Sequence, residues 1–385
     1  MNVQAAQAQD TDGAAGPTDK AAILAGIRAR AGEFQSLRHI PQDVVDQFKR
    51  LGVYRAFVPE RFGGDAVSPA TFCRLIQDIA AADASAGWVA SFGVSATYLA
   101  TLPRDTYAAI FGTNPDTVFA GAMFPPQAAR TVPGGYEVRG QWPWGSGIMG
   151  ADLAGAGIKV EDNDTKLPLI AIMPRDKVTV VDTWKTVGLA ATGSHDIKVD
   201  GVVVPREWTF VRGSIPTMED RQFRYPSMAL ASQVLAVVAL GAARANLDYI
   251  HETGSRQSVT GAPKPGARPY LQTEYAKARS LYLGAQALFY DTLDEAWEQL
   301  ADNDRVDRDL HVRLRLVASK AAKDGAEAAR MAFALGGSNA IEQGHPLIRN
   351  MIDAASVAQH AFLSEGTLTA AGAAMFDEPT MPGYP

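Results

Sequence analysis

The chain has 385 residues, of which 47% are hydrophobic and 20% are charged, and its formal net charge is −6 at pH 7. This composition excludes a disordered chain, which combines low hydrophobicity with high charge, and it argues against nucleic acid as the main partner, which needs a surplus of Lys and Arg. The one cysteine, Cys73, rules out an internal disulfide and a cysteine-based metal cluster, and its apolar helical surroundings predict a place in the core.

The first third of the chain is predicted to be helical. Residues 1–18 are polar and rich in Ala and Gly, with acidic residues where a secretion signal would be basic, so we expect a disordered tail and a cytoplasmic protein. Residues 41–52 begin with proline and end with glycine, which is typical of a short helix. Residues 69–82 predict a second helix, and the small apolar residues of 83–102 predict a buried one. These elements define an N-terminal helical domain over 19–116.

Beyond residue 116 the pattern changes twice. Short β-branched runs separated by Pro, Gly and Asp predict an all-β domain over 117–222. Long Ala- and Leu-rich segments, among them 274–300 and 311–335, then predict a helical bundle over 223–385. The most apolar run, 228–243, is shorter than the roughly 20 residues of a membrane span, so we expect a buried helix and no membrane partner. This order predicts an α+β fold, and the sequence has no dinucleotide-binding fingerprint or P-loop.

Helical, β and helical parts in these proportions resemble the acyl-CoA dehydrogenase fold, and four stretches resemble one branch of it. They are GGYEVRGQWPWGSG at 134–147, DTWKTVGLAATGSHD at 182–196, Val204-Pro205, and HPLIR at 345–349 followed by Asp353 and His360. In this order and spacing they are similar to the two-component flavin-dependent monooxygenases. The resemblance covers residues 35–385 and implies an N-terminal helical domain, a central β-sandwich or barrel, and a C-terminal four-helix bundle.

The resemblance also implies an activity and its partners. Such an oxygenase component takes reduced flavin, either FMN or FAD, from a separate NAD(P)H-dependent flavin reductase. With O2 the flavin forms a C4a-hydroperoxide, which hydroxylates a small aromatic or heteroaromatic substrate. The protein has to orient the flavin and exclude water from it. The family further implies a homotetramer.

Matched positions supply the candidate site residues. Ser146 would accept a hydrogen bond from the flavin N5–H, and His360 would act as a general base toward the substrate. The other cofactor-binding candidates lie in turns or at helix ends and are Trp144, Thr192, Ser194, Arg256, Gly336 and Gly337. The candidates for the substrate pocket are Phe92, Ser95, Tyr98 and Trp184.

Each candidate also has a structural interpretation that the residues alone leave open. Ser146 could cap its glycine-flanked turn, and Trp144 could be an inward-facing strand residue. His360 lies in an apolar stretch, predicted to be a helix over 354–363, where a histidine often only fills the core. Arg256 could be solvated at a helix end, and the pair Gly336-Gly337 could simply end a helix.

The sequence departs from the family pattern in the expected pocket. Some relatives carry a second histidine where this chain has Ser95, so a role of that position in binding a phenol is in doubt. No Arg or Lys occurs near Ser95 to pair with a carboxylate, so we expect a flat, uncharged aromatic substrate. His195 is expected to be exposed, and the spacing of the histidines predicts no metal site. The Arg that usually precedes Asp353 is replaced by Ile352.

Two other functions compete with the oxygenase hypothesis. Ser364-Glu365-Gly366-Thr367 resembles the motif of true acyl-CoA dehydrogenases, in which Glu365 would remove the α-proton of a thioester. A non-catalytic flavin-binding scaffold would keep the cofactor contacts without a base. The presence of both Ser146 and His360 favours a monooxygenase over either alternative.

Overall fold

The computed structural model describes residues 17–160, 168–256, 261, 263–380 and 384. Most of the predicted N-terminal tail, residues 1–16, lies outside the described residues. The first helix begins at Pro17, so the last two residues assigned to the tail are helical.

Short helices form the N-terminal part. They are α1 (Pro17–Ala29), α2 (Ala31–Leu37), α3 (Gln42–Arg50), α4 (Pro69–Ala82), α5 (Ala84–Ser91), α6 (Ser95–Leu99) and α7 (Arg104–Phe111). Local capping explains two of their starts. The Ser68 side chain accepts a hydrogen bond from the Thr71 N–H at the start of α4, and the Asp83 carboxylate accepts one from the Ala86 N–H at the start of α5. Cys73 is fully buried in α4, as predicted.

The apolar segment 83–102 is not the single helix that its composition predicts. It is divided into α5, a 3₁₀ turn over Phe92–Val94, and α6. Gly93 lies in this 3₁₀ turn and permits the close approach of another segment, because a Cβ there would lie only 2.2 Å from the Val53 carbonyl oxygen. Both short helices are buried, which agrees with the predicted burial of this segment.

The strands of the middle part form two four-stranded sheets in the described residues, with the orders β1-β4-β5-β8 and β2-β3-β7-β6. The strands are β1 (Phe119–Ala128), β2 (Arg130–Val132), β3 (Gly135–Trp142), β4 (Leu153–Lys159), β5 (Leu169–Pro174), β6 (Thr179–Val181), β7 (Asp196–Val204) and β8 (Thr209–Val211). Trp142 is fully buried and its indole N–H donates to the Gly157 carbonyl at 2.7 Å, which joins β3 of one sheet to β4 of the other.

Long helices form the C-terminal part. They are α8 (Arg221–Arg224), α9 (Ser227–Gly254), α10 (Pro269–Asp302), α11 (Arg308–Ala334), α12 (Pro346–Ala358) and α13 (Glu365–Met375). Helix α9 is long and apolar enough to cross a membrane, but 83% of its most apolar window is buried inside the fold, as in a core helix. It packs against α4, α11 and α12. The Asn246 amide on α9 donates to the carbonyls of Ala329 on α11 and Leu347 on α12, which fixes the three helices together.

Candidate active site

The turn between β3 and β4 carries two of the predicted cofactor-binding residues. Trp144 has a positive φ of 65° and its side chain is 63% exposed, which is unusual for a bulky residue in both respects. Ser146, two residues on, is buried. The Gly145 N–H donates to the His195 carbonyl and the Gly147 N–H to the Thr192 carbonyl, so the turn is fixed against the loop before β7. The structure therefore joins the two motifs 134–147 and 182–196.

That loop is held by helices on either side of it. Leu189 has a positive φ of 49°, and its N–H donates to the Asp353 carboxylate of α12 at 2.6 Å. The Ala191 N–H donates to the Ser85 hydroxyl of α5 at 3.3 Å. The packing at Gly188 is equally close, since a Cβ there would meet the Ser356 hydroxyl at 2.0 Å. The conformation of the loop thus depends on α5 and α12.

Three predicted hydroxyls form a buried chain. The Thr192 hydroxyl lies 2.9 Å from the Leu189 carbonyl, to which it can donate. Ser194 lies 2.6 Å from Thr192 and 2.6 Å from Ser146, and either hydroxyl of each pair can be the donor. When Thr192 donates to Leu189, Ser194 donates to Thr192 and Ser146 donates to Ser194, which leaves the Ser146 oxygen to accept a hydrogen bond from outside the chain.

Asp353, which holds the loop, is a fully buried acid. Its burial, together with the negative charge of the nearby Asp83, raises the pKa of Asp353 to about 7, although the Leu189 N–H opposes this shift. Burial likewise raises the pKa of Asp83. One carboxylate oxygen of each, Oδ2, is buried without a hydrogen-bond partner in the described part of the chain. Asp353 and Asp83 are therefore more stable in the folded protein when their carboxyl groups are protonated than when both are ionised.

We expect Asp353→Asn to stabilise the protein at pH 8 by about 1–3 kcal/mol, and the gain should vanish near pH 4. A raised folded-state pKa favours folding below the unfolded value and loses that contribution as the pH rises through about 7. Asparagine keeps an oxygen that can accept from the Leu189 N–H. Denaturant unfolding at the two pH values measures the effect, with the exposed Asp291→Asn as the control. An equal gain at both pH values would contradict the interpretation.

His360 lies among aromatic rings. Its ring centroid is 5.6 Å from that of Trp88 and 5.2 Å from that of Phe362, edge-on in both cases. His360 does not lie within the helix predicted over 354–363, because α12 ends at Ala358. Instead, the Nδ1 atom of His360 accepts a hydrogen bond from the Phe362 N–H and caps a 3₁₀ turn over residues 361–363. This bond leaves Nε2 as the nitrogen that can face a substrate.

The environment keeps His360 neutral. Burial and the positive charge of Arg212 lower the pKa of His360 to about 4. Because Nδ1 accepts from the Phe362 N–H, the single ring proton of the neutral imidazole is on Nε2, which can donate a hydrogen bond but cannot accept one. The near-neutral pKa expected of a general base is therefore not found, and His360 is better described as a hydrogen-bond donor.

The other residues predicted for the substrate pocket have different surroundings. Tyr98 is buried, and the guanidinium of Arg212 lies 4.8 Å from its ring centroid. The Ser95 hydroxyl donates to backbone carbonyls of Phe92 and Phe119, so it serves the local fold. The expectation that no cation reaches this region is wrong, because Arg212 enters it from the end of β8, far away in sequence.

Phe92 and Trp184 contact different segments of the site. Phe92 is beside the Ser146 turn, where a Cβ on Gly147 would come 3.8 Å from its ring. The Trp184 indole N–H donates to the Leu189 carbonyl at 3.1 Å. Trp184 therefore belongs to the loop, whereas Phe92 follows α5, the helix that also carries Trp88.

The remaining candidates lie at ends of helices. Arg256 is exposed just after α9. Gly337 has a positive φ of 72° after α11, and a Cβ on Gly336 would lie 2.3 Å from Leu347. The turn therefore requires glycine for structural reasons, and the described contacts do not join it to Ser146.

His195 differs from its prediction, since it is only 7% exposed. Its Nδ1 accepts hydrogen bonds from the N–H groups of Thr183 and Trp184, and burial lowers its pKa. The neighbouring Asp196 suggested a solvated turn, but the loop folds back over the ring. Among the described residues, no group of three or more His, Cys, Asp and Glu side chains is placed to hold a metal ion.

Comparison with known proteins identifies the fold. The family model for the acyl-CoA dehydrogenase N-terminal domain matches residues 23–104, and the model for the C-terminal domain matches residues 233–365. The crystal structure of 3-HSA hydroxylase from Rhodococcus sp. RHA1 is 26% identical and superimposes with a TM-score of 0.88 over 96% of this chain and 98% of that one. The protein has the acyl-CoA dehydrogenase fold, and the predicted α+β class is confirmed.

Two relatives define the activity class. Indole-3-acetate monooxygenase of Pseudomonas putida is 50% identical over 375 residues, which are 96% of this chain and 96% of the relative. The flavin-dependent monooxygenase oxygenase subunit HsaA of Rhodococcus jostii is 28% identical over 363 residues, 88% of this chain and 92% of that one. The chain belongs to the two-component flavin-dependent monooxygenases of this fold, as an oxygenase component acting on an aromatic substrate. The family, activity and flavin cofactor predicted from the motifs are confirmed.

Proposed function

We propose that this oxygenase component hydroxylates indole-3-acetate, the compound named for its relative from Pseudomonas putida. In the reaction one atom of O2 enters a C–H bond of the substrate ring and the other becomes water. Reduced flavin supplies the two electrons and two protons and leaves oxidised. A separate reductase regenerates it with NAD(P)H.

The hydroxyl chain supports a place for the flavin. When Thr192 donates to the Leu189 carbonyl, Ser146 is left as an acceptor, which fits the N5–H that a reduced flavin presents. Trp144 offers an exposed flat ring on the same turn. Thr192 and Ser194 fix Ser146 through their hydrogen bonds. We assign Arg256, Gly336 and Gly337 to the more distant parts of the cofactor on the family resemblance alone.

The position of His360 carries the proposal. A neutral histidine lies between the rings of Trp88 and Phe362, which supply flat apolar surfaces for an aromatic substrate. Helix α5 connects this cluster to the flavin turn, because it presents Trp88 to His360 and Ser85 to the loop of Thr192. Through its Nε2–H, His360 would donate a hydrogen bond to the oxygen that is transferred to the substrate ring, which stabilises the negative charge that develops there.

The surroundings of Glu365 disfavour an acyl-CoA dehydrogenase. Its side chain is 83% exposed and pairs with Lys323 on the outer side of α11. An α-proton base needs a site that excludes water, and an exposed ion pair does not provide one. Glu365 is therefore a surface residue of α13.

Single-turnover hydroxylation tests the proposal. Protein mixed with chemically reduced flavin, indole-3-acetate and ¹⁸O₂ should give a hydroxylated product that carries one labelled oxygen atom. Glu365→Gln should leave the yield unchanged within about twofold, as expected for a surface substitution. Unlabelled product, or flavin reduction by an acyl-CoA that depends on Glu365, would overturn the proposal. Tight flavin binding with no oxygenation of any indole would favour the scaffold.

The remaining assignments follow the family resemblance. We propose that the protein is a homotetramer in the cytoplasm. Each chain would consist of three domains, 19–116, 117–222 and 223–385. Exposed apolar side chains such as Trp144 and Val187 support burial against another chain or the flavin. Light scattering should give four times the 41.0 kDa chain mass.

A further inference from the structure

Arg212 is an unusual arginine in the aromatic cluster. Its guanidinium lies 4.8 Å from the ring centroid of Tyr98 and 5.0 Å from that of Phe362. One terminal nitrogen, Nη1, contacts the Met123 sulfur at 3.1 Å. The Nε atom is buried and has no hydrogen-bond partner among the described residues. A strongly solvated group is thus partly buried against aromatic rings and a thioether, with the Tyr98 hydroxyl as a hydrogen-bonding neighbour.

The charge of Arg212 has no anionic partner in the described part of the chain, where no carboxylate oxygen lies within 4.0 Å of it. Arg74 shows the usual arrangement, since it lies over the Tyr290 ring and also pairs with the Asp294 carboxylate. A partly buried cation without an anion is unfavourable, and a ligand that brings an anion relieves it.

A second cation, Arg315, also lies near Phe362. The Arg315 guanidinium is 6.0 Å from the Phe362 ring centroid and 4.8 Å from that of Tyr384, and the residue is 4% exposed. Arg315 has an interaction partner of its own, so of these two arginines it is Arg212 that lacks a counter-charge in the described part of the chain.

The arrangement matches an aromatic acid in size. His360 and Arg212 both contact Phe362, at 5.2 and 5.0 Å, so they are no more than about 10 Å apart. An aromatic ring that meets His360 can therefore place a side-chain carboxylate at Arg212. A guanidinium donates two parallel hydrogen bonds to a carboxylate, which a lysine cannot reproduce.

We propose that Arg212, beside Tyr98, forms a carboxylate subsite that selects aromatic acetic acids over neutral indoles. The proposal rests on the proposed function, because it takes the ring at His360 to be that of the substrate. Arg212 is then a specificity residue that binds the substrate without touching the reacting atoms. The sequence expectation of an uncharged substrate is reversed.

Binding measurements test the subsite directly. Equilibrium dialysis with indole-3-acetate and with its neutral amide, indole-3-acetamide, compares the same ring with and without the charge. We expect Arg212→Met to raise the Kd for the acid about 10- to 100-fold and to leave the Kd for the amide unchanged. Arg212→Lys should recover part of the loss. Arg206→Met is a matched control, since Arg206 lies over the Tyr136 ring but is exposed on the β-domain.

The outcomes separate this proposal from the proposed function. Wild-type protein that binds the acid but never oxygenates it would contradict the proposed function and leave the subsite standing. Wild-type protein that binds and oxygenates the amide as well as the acid would contradict the carboxylate subsite and leave the proposed function standing. An equal rise in the Kd for both ligands in Arg212→Met would show that Arg212 only supports the packing around Phe362, and would overturn the subsite. Circular dichroism and flavin binding confirm that the variant is folded.

Discussion

His360→Ala should lower the rate of substrate hydroxylation about 10²-fold or more, as expected for loss of a positioned hydrogen-bond donor. The ring lies between Trp88 and Phe362 with one nitrogen facing away from its capping bond. Oxidation of the reduced flavin by O2 should continue, because Ser146 and the hydroxyl chain are untouched. Hydroxylated product and hydrogen peroxide, measured in the same single turnover, give the two rates.

The capping role of His360 calls for a second variant. His360→Asn keeps an oxygen that can accept from the Phe362 N–H, so it preserves the turn while removing the imidazole. If the loss in His360→Ala reflects only a disturbed turn, His360→Asn will recover the hydroxylation rate, and His360 will leave the mechanism. The exposed His251, which packs against Tyr275, provides the control His251→Asn with no expected loss.

The lowered pKa of His360 predicts how kcat/KM depends on pH. With a pKa of about 4 its ring stays neutral across pH 5–8, so kcat/KM should show no acid limb near 6.5 from this group. The cationic groups facing it are Arg212 and, behind Phe362, Arg315. Removing Arg212 takes away part of the shift, and its variants should move the acid limb toward higher pH.

The sequence predicted best those residues that lie close together within a motif. Ser146, Thr192 and Ser194 occur in two glycine-containing turns, and turns of this kind bring short polar side chains and backbone N–H groups into one place. The structure joins them through hydrogen bonds of 2.6 Å. The order of donation along the hydroxyls could not be predicted from the sequence, because it depends on the carbonyl that Thr192 reaches in the folded chain.

The residues that sequence reasoning missed come from distant segments. Arg212 lies at the end of β8, more than a hundred residues after Tyr98, and no local spacing relates the two. Asp353 was matched to the family, but its partner, the Leu189 N–H, could not be inferred, since a buried backbone donor leaves no trace in composition.

Helix limits failed where tertiary contacts decided them. The small apolar residues of 83–102 favour one helix, but the structure divides the segment at a 3₁₀ turn around Gly93, which the Val53 carbonyl approaches closely. In the same way, the apolar stretch around His360 predicts a helix, but α12 ends at Ala358 and the histidine caps a separate turn. Propensity alone does not register such contacts.

Ser146→Ala should lower the product formed per reduced flavin oxidised about 10- to 100-fold, the range expected when a positioned reactant is misplaced by about 1 Å. Alanine removes the acceptor at the end of the hydroxyl chain but fits the same buried space. Consumption of O2 should continue and appear as hydrogen peroxide. The ratio of product to peroxide in one turnover measures the change, and the exposed Thr369→Val, which loses a hydroxyl bonded within α13, is the control.

Thr192→Val separates the role of the hydroxyl from that of the chain behind it. Valine cannot donate to the Leu189 carbonyl, nor can it accept from Ser194, so Ser194 becomes free to donate to Ser146. Ser146 then turns its own proton outward and presents a donor where the flavin N5–H also presents one. We therefore expect Thr192→Val to lower the product ratio in the same direction as Ser146→Ala, although Thr192 need not touch the flavin. A wild-type ratio in Thr192→Val would show that Ser146 is held by its turn alone, and that the hydroxyl chain has no part in orienting the cofactor.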